Sequence, residues 1–138
     1  RLLPLATLVT PNLPEAERLT GGEVSDMQAQ LAAAEMLVEM GARAALVKGG
    51  HGKGSAATDI LVSSRGMEIM ERPRIKTKHT HGTGCTLASA IAGLMAQGVP
   101  LPDAVRQAGD YLHEAIAHAP GFGEGNGPVD HMWMMRRD

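Results

Sequence analysis

Apolar positions along the chain fall into two kinds of run: short β-rich stretches and longer stretches at helical spacing. "ATLVT" (Ala6 to Thr10) reads as a short strand stopped by Pro11. "LPEAERLTG" follows as a short helix, with Pro14 suited to its first turn and Gly21 or Gly22 to its end. Ser25 and Gln28 in "SDMQ" match a capping box opening a longer helix. Met27, Leu31, Ala34, Leu37 and Val38 mark its apolar face, and Gly41 suits its C-terminal cap. "AALVKGG" then reads as a buried strand ending in a glycine pair. "DILVSS" and "GMEIMER" flank Arg65-Gly66 as a hairpin, and "RIKTK" adds a further strand. A helix from about Thr83 to Gln97 presents Leu87, Ile91, Leu94 and Met95, with Gly98 as its stop. Pro102 starts another, with Val105, Ala108, Leu112 and Ile116 on one face; the glycine-rich tail from Pro120 is irregular. The order strand, helix, strand, hairpin, helix, helix predicts an α/β layered fold with a largely parallel sheet.

Composition narrows the function. The 138 residues are enough for one domain with a modest core. Aromatic residues make up only 2%, so stacking on nucleic-acid bases has little to work with, and a net charge of −2 gives no electrostatic reason to bind a polyanion. A single cysteine, Cys85, cannot form an internal disulfide and fits a reducing compartment. No signal-peptide pattern and no membrane-length apolar run is present, so the expected location is the cytoplasm. The chain begins at Arg1 as if entering a strand already under way, and half a parallel sheet would leave an open edge. Both features point to part of a larger protein.

The densest chemistry lies in "HGTGC". Gly82 and Gly84 flanking Thr83 allow a tight turn whose amides converge, and the helix that starts there adds positive potential at its N-terminus. Such a turn suits phosphate, or charge developing during phosphoryl transfer. A cysteine in that field is more available as thiolate or base. The alternative is that Cys85 is a small buried apolar residue and the glycines merely cap a helix. Asn12 and Glu15 stand just past a strand end, where open α/β sheets bind ligands. Glu15 suits magnesium, directly or through water, or else a helix-start carboxylate favoured by the dipole. Lys48, also at a strand end, suits phosphate oxygens or plain solvation. A Walker-type loop is excluded: Gly52-Lys53 is followed by Gly54, and Val47 stands where the first glycine belongs. "GFGEGNG" lacks the strand and helix of a dinucleotide loop. His79 and His81 alternate like a metal pair but lack a convergent third ligand.

Taken in order and spacing, "TPNLPEAERLTG", "VKGGH", "THGTGCTLASAIA" and "GNGPVDH" resemble the hydroxymethylpyrimidine and phosphomethylpyrimidine kinases of thiamine biosynthesis, within the ribokinase-like superfamily. The whole chain, residues 1–138, resembles the C-terminal half of that family's single three-layer α/β domain; the N-terminal half, with most of the pyrimidine pocket, has no counterpart. The cysteine in "GTGCT" is the discriminating feature, since most of the superfamily carries aspartate there. The resemblance implies ATP-dependent phosphorylation of 4-amino-5-hydroxymethyl-2-methylpyrimidine and then of its monophosphate, with Mg2+, in a homodimer. It implies Cys85 as the base, and Gly82, Thr83 and Gly84 as an anion hole completed by the Cys85 amide. Asn12 and Glu15 would organise magnesium and phosphate, and Lys48 would lie near the nucleotide phosphates. Asp130 and His131 receive no role. The 138-residue chain alone is expected to be inactive. Three other readings stay open: a pyridoxal or pyridoxine kinase of the same superfamily, a non-catalytic kinase-derived fragment, and a cysteine-nucleophile hydrolase, which no acyl-transfer motif supports.

Overall fold

A computed structural model describes residues 2–50 and 54–135, which form two compact units divided after Arg74. In the first unit, helices α1 (Leu13–Thr20) and α2 (Met27–Glu39) accompany strands β1 (Ala44–Val47), β2 (Ala56–Ser63) and β3 (Gly66–Pro73). The sheet has the order β1-β2-β3, with α2 against β1 and β2 and α1 against α2. Ala16, Val24, Ala33, Ala34, Leu37, Ala45 and Val47 make the core between helices and sheet. The side chains are small because the helix lies close on the strands. All four residues of β1 are buried.

Both helices of this unit begin at polar caps. Asn12 caps α1, Pro14 sits in its first turn, and Gly21 closes it at φ 78°, a left-handed conformation that glycine adopts without strain. Asp26, not Ser25, caps α2: its carboxylate accepts the Ala29 amide at 2.8 Å, and the helix starts at Met27. Two neighbouring residues could each cap here, and the aspartate, one place nearer the apolar stripe, takes the position. The hairpin turns at Ser64-Arg65, with Gly66 at φ 113° absorbing the twist.

The sheet corrects the expectation of largely parallel pairing. β1 to β2 and β2 to β3 are both antiparallel: the second pair is the hairpin expected around Arg65-Gly66, and β1 lies directly beside β2. Among the described residues, parallel pairing is limited to the isolated bridges Val9–Ala45, Asn12–Lys48 and His81–Pro128. "ATLVT" therefore contributes a single bridge instead of a strand, since Pro11 has no N–H to continue the ladder. "RIKTK" is not a strand either: after β3 the Thr77 hydroxyl accepts the His79 amide at 3.1 Å, which bends the chain.

The second unit packs α3 (Thr83–Ala96) against α4 (Leu101–Ala117). Thr86, Leu87 and Ile91 bury one face of α3, while Ala104, Val105, Ala108, Gly109 and Ala115 bury one face of α4. The tail after α4 is irregular but tethered. Asp130 donates its amide to Ala115 O at 2.9 Å, Val129 is buried, and the Tyr111 hydroxyl reaches His131 O at 2.8 Å. Among the described residues, no helix is long and apolar enough to cross a membrane.

Candidate functional site

The chemistry foreseen in the sequence falls on both units, at one turn in each. In the second unit, Gly82 precedes α3 at φ 83°, so the chain enters the helix through a left-handed residue with no side-chain cap. An added Cβ at Gly82 would meet nothing within 4 Å, so backbone conformation, not space, requires glycine there. The Gly82 carbonyl accepts both the Thr86 amide at 2.9 Å and the Thr86 hydroxyl at 2.8 Å, which fixes the first turn. The Thr83 amide turns back to Thr80 O at 3.4 Å, a long contact. Among the described residues the amides of Gly84 and Cys85 meet no backbone or side-chain acceptor, as the first turn of a helix dictates. Cys85 itself is exposed in this chain. An open groove of about 720 Å³ runs from Gly82 and Cys85 between α3 and α4 to Gln107, Tyr111 and His131.

The lead-in to this turn is held by the C-terminal tail. His81 donates its amide to Gly127 O at 3.1 Å, and the Gly127 amide reaches His79 Nδ1 at 3.2 Å. A Cβ on Gly127 would lie 2.4 Å from His79 Nδ1 and 2.9 Å from Phe122 O, so this close approach admits only glycine. "HGTGC" and "GNGPVDH" are thus neighbours in space. Asp130, left without a role by the sequence, is buried and accepts the Met132 amide at 3.0 Å. His79 spends a ring nitrogen on the tail, and among the described residues no group of three or more His, Cys, Asp or Glu could hold a metal.

In the first unit, Asn12 and Glu15 face each other across the start of α1. The Asn12 side chain accepts the Glu15 amide at 2.9 Å, and Glu15 Oε2 accepts the Asn12 amide at 2.8 Å. This reciprocal capping box went unread in the sequence, while the one expected at Ser25 and Gln28 does not form, because Asp26 caps α2. Glu15 stays exposed and keeps its second carboxylate oxygen outside the box. Backbone pairing brings Lys48 beside them, its amide bonded to Pro11 O at 2.9 Å.

Three side chains that the sequence reading passed over secure the strand end at Lys48. Gln30 is buried in α2 and donates from Nε2 to Val47 O and to Thr58 O, both at 2.8 Å. Its signal was visible: Gln30 stands in register with buried Ala33, Ala34 and Leu37 at i+3, i+4 and i+7. Asp59 Oδ1 accepts the Gly49 amide at 2.9 Å. Burial pushes the Asp59 carboxyl above its ordinary range, against the Gly49 hydrogen bond and the charges of Arg72 and Lys48, which pull it down. The third, Arg74, holds the carbonyls of the glycine turn.

Solved small-molecule kinases share this fold. The pyridoxal kinase of Staphylococcus aureus in complex with AMP-PCP superposes with a TM-score of 0.93 at 30% identity, over 99% of this chain and 51% of that one. The Bacillus subtilis pyridoxal kinase ADP complex gives 0.91 at 32% identity, over 97% and 53%. Phosphomethylpyrimidine kinase from Clostridium difficile gives 0.69 at 35% identity, over 83% and 45%.

The chain belongs to the phosphomethylpyrimidine kinase family, whose sequence profile matches residues 1–130. It is 51% identical over 132 residues to the thiamine biosynthesis bifunctional protein ThiED of Geobacter sulfurreducens, covering 96% of this chain and 27% of that protein. It is 47% identical over 140 residues to the hydroxymethylpyrimidine/phosphomethylpyrimidine kinase of Rhizobium meliloti, covering 99% and 53%. The chain thus spans about half the length of the hydroxymethylpyrimidine/phosphomethylpyrimidine kinases it matches, and about a quarter of the bifunctional protein.

Proposed function

We propose that this sequence supplies the phosphate-handling half of an ATP-dependent kinase acting on 4-amino-5-hydroxymethyl-2-methylpyrimidine and its monophosphate. The observation that carries the reading is the turn at α3: exposed Cys85 sits in the first helical turn, where the amides of Gly84 and Cys85 meet no acceptor among the described residues. In this reading Cys85 takes the proton of the substrate hydroxyl as its oxygen bonds to the γ-phosphorus and the bond to the ADP oxygen breaks. The amides of Gly84 and Cys85, at the positive end of α3, stabilise the charge on the transferred group. Gly82 sets the turn's direction, and Thr83 follows it into the helix. Lys48 contacts nucleotide phosphates. Phosphoryl transfer relies on positioning and electrostatics, which a rigid turn provides.

Magnesium fits as a shared ligand. Glu15 offers one exposed carboxylate at a helix start, and Mg2+ is commonly held by one or two carboxylates together with substrate phosphates. When bound there it would neutralise phosphate charge; Asn12 would fix the Glu15 backbone. The bound ADP and AMP-PCP of the structural neighbours support ATP as the donor. A homodimer is part of the same proposal.

The structural likeness to pyridoxal kinases favours a second reading, phosphorylation of a pyridoxal-type alcohol. Identities of 40–51% to curated pyrimidine-kinase relatives against 30–32% to pyridoxal kinases support the first. Measuring ADP release by the full-length protein with each alcohol decides between them. Faster turnover of the hydroxymethylpyrimidine is expected; equal or faster turnover of pyridoxal would overturn the proposal.

A further inference from the structure

The glycine turn after β1 is held in an unusual way. Arg74, half-buried at the end of β3, donates from Nε to Gly54 O at 3.0 Å, from Nη1 to Gly50 O, and from Nη2 to Gly49 O at 3.3 Å and Ala56 O at 3.0 Å. One guanidinium thus satisfies four carbonyls of a segment that could otherwise be hydrated. Asp59 takes the remaining polar group of Gly49, its amide. Gly49 packs closely against the β2 backbone: a Cβ there would lie 2.1 Å from Thr58 O, so no side chain fits.

We propose that Arg74 and Asp59 are positioning residues for the Lys48–Gly50 turn, one through its carbonyls and the other through its amide. They hold Lys48 in place for the phosphates of a nucleoside triphosphate. The inference rests on the reading above that Lys48 contacts those phosphates. Adjacent glycines carry the largest conformational entropy of any residue pair, so a free turn would order only on binding. A turn ordered beforehand spares the nucleotide that cost. Arginine suits the task because its planar fork offers five donors in fixed directions, while lysine offers a point charge on a flexible stem.

The test is a double-mutant cycle in the full-length protein, with steady-state kinetics and melting temperature read together. Arg74→Ala should raise KM for ATP about tenfold and leave KM for the hydroxymethylpyrimidine unchanged. In a Lys48→Ala background the same change should add almost nothing, because the residue it acts through is gone. Arg74→Lys, which keeps charge and stem, guards against a misfolded alanine variant and should still raise KM for ATP several-fold. Unchanged KM for ATP in both Arg74 variants, or effects additive with Lys48→Ala, would overturn the proposal. If Lys48→Ala alone leaves KM for ATP unchanged, the phosphate role of Lys48 and this inference both fall. The kinase reading survives that outcome so long as the unmutated protein turns over the pyrimidine.

Discussion

Glu15 carries two readings that one pair of substitutions can separate. Its carboxylate closes a capping box with Asn12 and is also the proposed magnesium ligand. Glu15→Gln preserves an acceptor for the Asn12 amide, since glutamine serves in capping boxes as glutamate does, and removes only the charge. The stability lost is then the helix-dipole interaction of one exposed carboxylate, about 0.3–1 kcal/mol. Glu15→Ala removes the acceptor as well and exposes the amide at Asn12, adding about 0.5–1.5 kcal/mol for the lost hydrogen bond. The alanine variant should therefore melt a few degrees below the glutamine variant, at about 2–4 °C per kcal/mol for a protein of this size class. A magnesium ligand behaves differently, because both variants lose the charge. Each should need more Mg2+ for half-maximal ADP release, by about tenfold, with the two nearly equal. The assays are thermal melting and a magnesium titration of initial rate. Equal melting temperatures for the two variants would refute the capping account, and an unchanged magnesium requirement would refute the metal role.

Other outcomes follow from the same geometry. Gln30→Leu removes both hydrogen bonds that tie α2 to Val47 O and Thr58 O. It should cost about 1–3 kcal/mol in urea unfolding, and a loss under 0.5 kcal/mol would mean these carbonyls are satisfied otherwise. Asp59 titrates above its ordinary range because it is buried, so the folded state keeps its proton to higher pH than the unfolded chain. Its stabilising contribution is complete below the unfolded value, near 3.9, and is lost as pH rises through the raised folded value. Asp59→Asn, which retains an acceptor for the Gly49 amide, should gain stability over the natural protein progressively as pH rises above about 4. Parallel stability curves for the two proteins would show that Asp59 carries no such linkage. Gly127→Ala should lower stability and activity together, since its Cβ would meet His79 Nδ1 at 2.4 Å and disturb the lead-in to the α3 turn. A variant with normal kinetics would show that the tail does not hold that turn.

Local chemistry made much of the fold legible. Pro14 and Gly21 bounded α1, the run from Thr83 bounded α3 to within a residue, and the turn beside Gly66 placed the hairpin. Cys85 stood out because helix-start geometry follows from the glycines beside it. The antiparallel direction of β1 was not legible, since β1 is buried along its whole length and a continuous apolar run is more typical of a parallel strand. The cap of α2 was misplaced by one residue because Ser25 and Asp26 are both good caps. Arg74 and Asp59 went unread because their partners are backbone groups 10 to 25 residues away, which no side-chain pattern encodes.

The most direct test of the account is single-turnover phosphoryl transfer by the Cys85→Ala variant of the full-length protein, with ATP affinity measured alongside. The account predicts a fall of about 100-fold or more in the rate of transfer at nearly unchanged ATP affinity, as removal of a general base requires. An unchanged transfer rate would take Cys85 out of the chemistry and contradict the account at its centre.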